Sequence, residues 1–192
     1  RIMNDSRTQK MASAPVGAFT AANRDAWLKN REALLSGPSA EQNRKALEKI
    51  ESGIIVLALD SGKPVTFNER GVAVYGGDAR NRFFDKQQIV VSENGASGYI
   101  GEHSMMDGSQ TLRLNNFMVS ALEAGKIELG GPSSGSVLDD PEYLSFDVNA
   151  DLSNASNAAG QDFASLMDEQ DMSVLDFTAY GKEAIKPVSY TH

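Results

Sequence analysis

The chain contains no cysteine, which removes disulfides, thiolate nucleophiles, Cys-ligated zinc and iron-sulfur clusters together and leaves the redox compartment unspecified. Histidine is nearly as scarce, with only His103 and His192 available for metal ligation or proton transfer. Cationic excess is also missing. Eighteen Lys and Arg face 26 Asp and Glu, a formal charge of -8 that argues against nucleic acid or an anionic membrane as the main partner. A local basic pair can still hold a phosphate. The longest apolar run, Ile54 to Leu59, has the length of a strand and falls far short of the ~20 residues that span a bilayer, so membrane association is not expected of this segment. What is present, 41% hydrophobic and 23% charged residues, is the composition of a chain that folds.

The chain begins at Arg1 rather than Met, and residues 1–14 hold neither the apolar segment nor the cleavage site of a secretory leader. At the other end a strand-like segment runs into a loop and stops at His192. The expected reading is a sequence truncated at both ends. Between them, Thr20 to Ser36 has helical spacing, with Asn23 able to cap and Trp27, Leu28, Leu34 and Leu35 apolar. A second helix follows Ser39, faces inward with Leu47 and Ile50 and stops at Gly53. Ile54 to Asp60 reads as a buried strand. In the stretch Gln88 to Glu102, Asn94-Gly95 divides two short apolar runs and predicts a hairpin whose second strand delivers His103 at its end. Asp107 then opens a helix with Leu114, Phe117, Met118, Ala121 and Leu122 on one face. Residues 125–142, rich in Gly, Ser, Asp and Pro, read as a crossover linker. Beyond it, Tyr143 to Val148 suggests a strand, 151–169 a polar amphipathic helix, and Met172 to Phe177 another strand. Strands separated by helices, with one hairpin, indicate an α/β fold whose sheet is mixed and flanked by helices.

His103 therefore sits in a strand-to-helix turn, Gly101-Glu102-His103-Ser104-Met105-Met106-Asp107-Gly108. Imidazole is the side chain best suited to proton transfer near neutral pH. Glycines at 101 and 108 leave room for a substrate beside the backbone, and Asp107 begins the helix. Glu102 precedes the histidine, and strand alternation points it to the opposite face; no role is assigned to it. Other constellations fail. Gly131-Pro132-Ser133-Ser134-Gly135 has the letters of a nucleophile elbow without a preceding strand. Glu102, His103 and Asp107 lack a second histidine at ligand spacing, so no metal is expected. The seven methionines read as core filler, and Gly76-Gly77 opens no phosphate-cradling helix.

The pattern His103-x-x-x-Asp107-Gly108 resembles the signature of the CoA-dependent acyltransferase superfamily. The wider stretch from Gly76 through Asn81-Arg82-Phe83-Phe84-Asp85-Lys86, and then Glu93 to Gly108, is similar to the carnitine/choline acyltransferase family, most of all to its acetyl-transferring carnitine members. The similarity continues upstream through Asn23-Arg24-Asp25 and Ile55 to Asp60, and downstream through Leu144 to Asp147 and Tyr180 to Lys186. The resemblance implies a chloramphenicol acetyltransferase-like fold. Residues 1–142 would form part of an N-terminal lobe carrying the histidine, and 143–192 the start of a second lobe. It implies reversible transfer of a short acyl group between coenzyme A and carnitine, with His103 as general base and no acyl-enzyme. Asp107 would support the histidine loop by pairing with an arginine elsewhere, beside Gly108. Lys182 and Lys186 match a lysine pair that meets the 3′-phosphate of CoA, a co-substrate rather than a resident cofactor. A monomer at full length and a mitochondrial or peroxisomal location are further implications.

Pro187 to His192 departs from the family pattern and resembles translated adapter sequence, so His192 is left out of the chemistry. The family's oxyanion-stabilising Ser-Thr-Ser segment and its carnitine-carboxylate residues have no counterpart within the chain, which is therefore expected to be inactive in isolation. Choline acetyltransferase and longer-chain carnitine acyltransferases are the enzymatic alternatives. A non-catalytic CoA-binding or interaction module is the alternative from another class, and the retained His103 argues against it.

Overall fold

Short polar side chains at helix starts accept the backbone N–H groups that have no partner within the helix. In the computed structural model, which describes residues 14–77, 79–104, 106–127 and 142–187, helix α1 (Arg24–Leu34) opens at Asn23, whose Oδ1 accepts from Ala26 N at 2.9 Å. Helix α2 (Ala40–Ser52) runs from Ser39 to a stop at Gly53. Helix α3 (Phe67–Tyr75), which no periodicity announced, carries a full capping box: Thr66 Oγ1 accepts from Glu69 N at 3.2 Å and Glu69 Oε2 from Thr66 N at 2.8 Å. Helix α4 (Gly108–Glu123) opens at Asp107. Helix α5 (Ala150–Asp168) opens at Asn149, and α6 (Lys182–Ile185) is a single turn. Two 3-10 turns, Val16–Ala21 and Ala79–Asn81, precede α1 and the second strand.

Three strands, β1 (Ile55–Asp60), β2 (Gln87–Ser92) and β3 (Ser97–Ile100), form one sheet in the order β1-β2-β3. β1 and β2 run parallel, Ile55 opposite Gln87, with α3 in the connection. β2 and β3 are the expected antiparallel hairpin, Val91 opposite Ser97. Its turn needs glycine at Gly95, where φ is 82°. The mixed sheet of the sequence reading is thus present. α3 lies close on β3: a Cβ at Gly98 would stand 2.4 Å from Val74 Cγ2.

The buried apolar side chains divide into two groups. Ala58, Val74, Val90 and Ile100 lie between the sheet and α3. Val16, Phe19, Trp27, Leu34 and Leu47 pack with Leu152 and Ala159 of α5. The segment expected to begin a second lobe therefore contributes to the core built by the first two helices. Most of the linker, residues 128–141, lies outside the described residues, as do Met105 and 188–192.

Several expectations are corrected. Ile54 to Asp60 is a strand but not a buried one, because β1 stands at the sheet edge: Ile54 and Leu57 are exposed and only Ala58 is buried. Tyr143 to Val148 is not a strand. Its polar groups are taken by side chains of α2 instead: Asn43 Nδ2 donates to Asp147 O and Asp147 N donates to Asn43 Oδ1, both at 2.9 Å. Met172 to Phe177 is not a strand either; Val174 N donates to Asn68 Oδ1 at 2.7 Å. The apolar face of α4 is a helical face as expected, but it is only partly covered: Leu114, Met118 and Ala121 are half-buried, Phe117 and Leu122 exposed.

Candidate active site

The β2–β3 ladder ends at the pair Gln88–Ile100. Beyond it the Gln87 side chain continues the pairing: its Nε2 donates to Glu102 O at 2.7 Å, and its Oε1 accepts from Glu102 N at 3.2 Å. The Tyr99 hydroxyl donates to the same oxygen. The next residue is His103, in a turn, as the sequence reading places it. Glu102 then reaches past the histidine. Its carboxylate accepts from Ser104 N at 2.9 Å and from Ser104 Oγ at 2.8 Å. The Ser104 hydroxyl and N–H hold the Glu102 carboxyl below the ordinary glutamate range, against a small opposing effect of burial and with help from the charge of Arg24. Strand alternation does not govern Glu102, because β3 ends two residues earlier.

The imidazole itself projects into solvent, its side chain 80% exposed, with Nε2 3.2 Å from Asp107 Oδ1. Asp107 also accepts from Gly108 N at 2.6 Å, and its own carbonyl accepts from Thr111 N at 3.2 Å, the first bond of α4. It is the helix-opening carboxylate expected from its position. An exposed pair of this kind is worth at most about 1 kcal/mol in water, and both side chains stay exposed. No intramolecular neighbour comes within 4 Å of a Cβ placed at Gly108. At Gly101, on the other side of the turn, a Cβ would stand 3.4 Å from the Tyr99 ring, so the open space lies on the Gly108 side.

Lys182 and Lys186 lie one turn apart, on α6 and at its C-terminal cap, and Lys186 Nζ is 3.4 Å from Glu183 Oε1. Among the described residues no hydrogen bond or ion pair joins α6 to the histidine turn, so the structure does not bring the lysines and His103 into one contact network. Among the described residues no three His, Asp or Glu side chains cluster as metal ligands, and no helix is long and apolar enough to cross a membrane.

The sequence reading missed Gln87, Tyr99 and Ser104, and it left Glu102 without a role. One signal was available. Two glutamines open a strand whose later residues are Ile, Val and Val, and a buried amide in that setting requires partners. Gln87 is 8% exposed and Gln88 fully buried.

The chain matches the family model described as Choline/Carnitine o-acyltransferase over residues 1–191. It is 33% identical over 177 residues to the mitochondrial carnitine O-acetyltransferase of Saccharomyces cerevisiae, covering 89% of this chain and 26% of that protein. With choline O-acetyltransferase of Danio rerio it shares 28% over 194 residues, 94% of this chain and 30% of the relative. With mitochondrial carnitine O-palmitoyltransferase 2 of Rattus norvegicus it shares 29% over 175 residues, 90% and 26% respectively. The chain thus spans between a quarter and a third of the length of these relatives. The match runs over nearly every residue and shows the family: the chain belongs to the choline/carnitine O-acyltransferase family.

Proposed function

We propose that this chain carries the general base of an enzyme that reversibly transfers a short acyl group between coenzyme A and the hydroxyl of carnitine. The observation that carries the reading is the position of His103. It stands exposed on a braced turn between β3 and α4, within a chain that is 33% identical to a carnitine O-acetyltransferase over 89% of its length. In the forward direction the unprotonated ring nitrogen takes the hydroxyl proton as the oxygen attacks the thioester carbonyl. The C–O bond forms, the C–S bond breaks, and the same proton passes to the departing thiolate. No acyl-enzyme is required, because one base within hydrogen-bond reach of both acceptors serves either direction. Proximity of the two substrates and dipoles aimed at the tetrahedral oxyanion supply the remaining rate.

Asp107 and Gly108 are assigned to support of the histidine loop. Lys182 and Lys186, two ammonium groups one helical turn apart, are assigned to the 3′-phosphate of CoA as paired point charges. The complete protein would adopt the chloramphenicol acetyltransferase-like fold and reside in mitochondria, the location printed in the names of the yeast and rat relatives. Choline in place of carnitine is the second reading, favoured by the 28% identity to a choline O-acetyltransferase over 94% of the chain.

The test is thiol release from acetyl-CoA by the complete product of the reading frame that encodes this chain, with carnitine and with choline as acceptor. His103→Ala is expected to lower kcat by at least about 10²-fold. Equal activity in the two proteins would overturn the base assignment. A preference for choline would replace the acceptor while keeping the base.

A further inference from the structure

We infer that Gln87 is a positioning residue for His103, an inference that rests on the assignment of His103 as the base. The backbone ladder that could hold the histidine stops at Ile100, three residues short of it. The Gln87 amide stands in for the next rung, meeting both the C=O and the N–H of Glu102 at 2.7 and 3.2 Å. A neutral amide is suited to this task because it presents a donor and an acceptor side by side. The clasp is half-buried. Gln87 is 8% exposed and its oxygen is also held by the Tyr99 hydroxyl from β3, while Glu102 is partly exposed.

Past the histidine the Glu102 carboxylate holds Ser104 N–H and Oγ–H. The peptide units on both sides of His103 are thereby tied, while the ring stays exposed beside Asp107. A side-chain clasp sets where the backbone of the base begins, so its loss moves the ring without removing it. Displacement of a reacting group by about 1 Å costs roughly 10²-fold in rate.

The first experiment uses the complete product of the reading frame that encodes this chain and needs no activity. Gln87→Met keeps length and volume but offers neither bond, and it is expected to raise amide hydrogen exchange at Glu102 by about tenfold while the Val90 amide, within β2, keeps its protection. If Gln87→Met does not fold, Tyr99→Phe decides: it frees the Gln87 oxygen and is expected to raise exchange at Glu102 about threefold. Unchanged exchange at Glu102 in the folded variant overturns the inference.

The second experiment uses the complete enzyme. Gln87→Met is expected to lower kcat by between about 10- and 100-fold, with KM for acyl-CoA held within about twofold. Faster exchange with an unchanged kcat also overturns the positioning role. An inactive wild-type enzyme would count against the acyl-transfer reading instead, and the exchange result would still decide the clasp.

Discussion

Arg82 is 1% exposed and forks onto Asp60, Nη1 to Oδ1 at 3.0 Å and Nη2 to Oδ2 at 2.8 Å. Nη2 also donates to Ala73 O at 3.1 Å, so one guanidinium joins the end of β1 to α3. Burial pushes the Asp60 carboxyl up, but the hydrogen bonds from Arg82 and Asn81 and the charge of Arg82 together hold it below the ordinary aspartate range. Removing the carboxylate in Asp60→Ala leaves a buried cation without its partner, and the expected loss is roughly 3 kcal/mol in urea unfolding. The sign of the pH effect follows from the lowered value. Its contribution is complete above the unfolded aspartate value of about 3.9 and is lost as pH falls through the folded value, where the unfolded chain binds more protons. Asp60→Asn should therefore unfold with a flatter acid dependence than the wild type. Glu102 obeys the same sign. In Ser104→Ala its carboxyl should titrate closer to the ordinary glutamate range, which carboxyl-carbon NMR reads directly. None of these partners was visible in the sequence, where Asp60 was a strand end and Arg82 part of a motif.

Helix starts, the hairpin and the histidine turn were legible because each depends on residues within about four positions of one another. Asn23, Asp107 and Asn94-Gly95 all act where the sequence places them. α3 was legible too, in Thr66-Phe67-Asn68-Glu69, but the capping box went unread. Thr66→Ala should lower stability by ~1 kcal/mol in thermal unfolding through loss of that cap. The strands assigned to 143–148 and 172–177 failed for a different reason. An extended segment becomes a strand only if another backbone lies beside it, and here Asn43 and Asn68 side chains take the polar groups instead. Packing between elements yields a further outcome. Gly98→Ala would place a methyl 2.4 Å from Val74 Cγ2 and should cost between about 1 and 3 kcal/mol, part of which Val74→Ala restores in the double variant.

Across the whole molecule, apolar side chains remain uncovered among the described residues on the β1 edge, on α4 and before α6: Leu57 is 59% exposed, Phe117 72% and Leu175 86%. Apolar surface of this kind drives association. The 192-residue chain by itself is expected to self-associate, its sedimentation coefficient rising with concentration, and Leu57→Thr with Phe117→Ser should reduce that rise. A monomer at every concentration, unfolding in one sharp transition, would contradict the expectation. Order along the chain was sufficient for most of the helices, the hairpin and a histidine on a turn, since caps, glycine turns and periodicity are local interactions. Tertiary structure alone decided that Gln87 meets Glu102 across 15 residues and that Arg82 meets Asp60 across 22. It alone left β1 at an edge and joined α5 to the first helices. Those contacts depend on how loops close and which surfaces meet in space, and no spacing in the sequence encodes that distance.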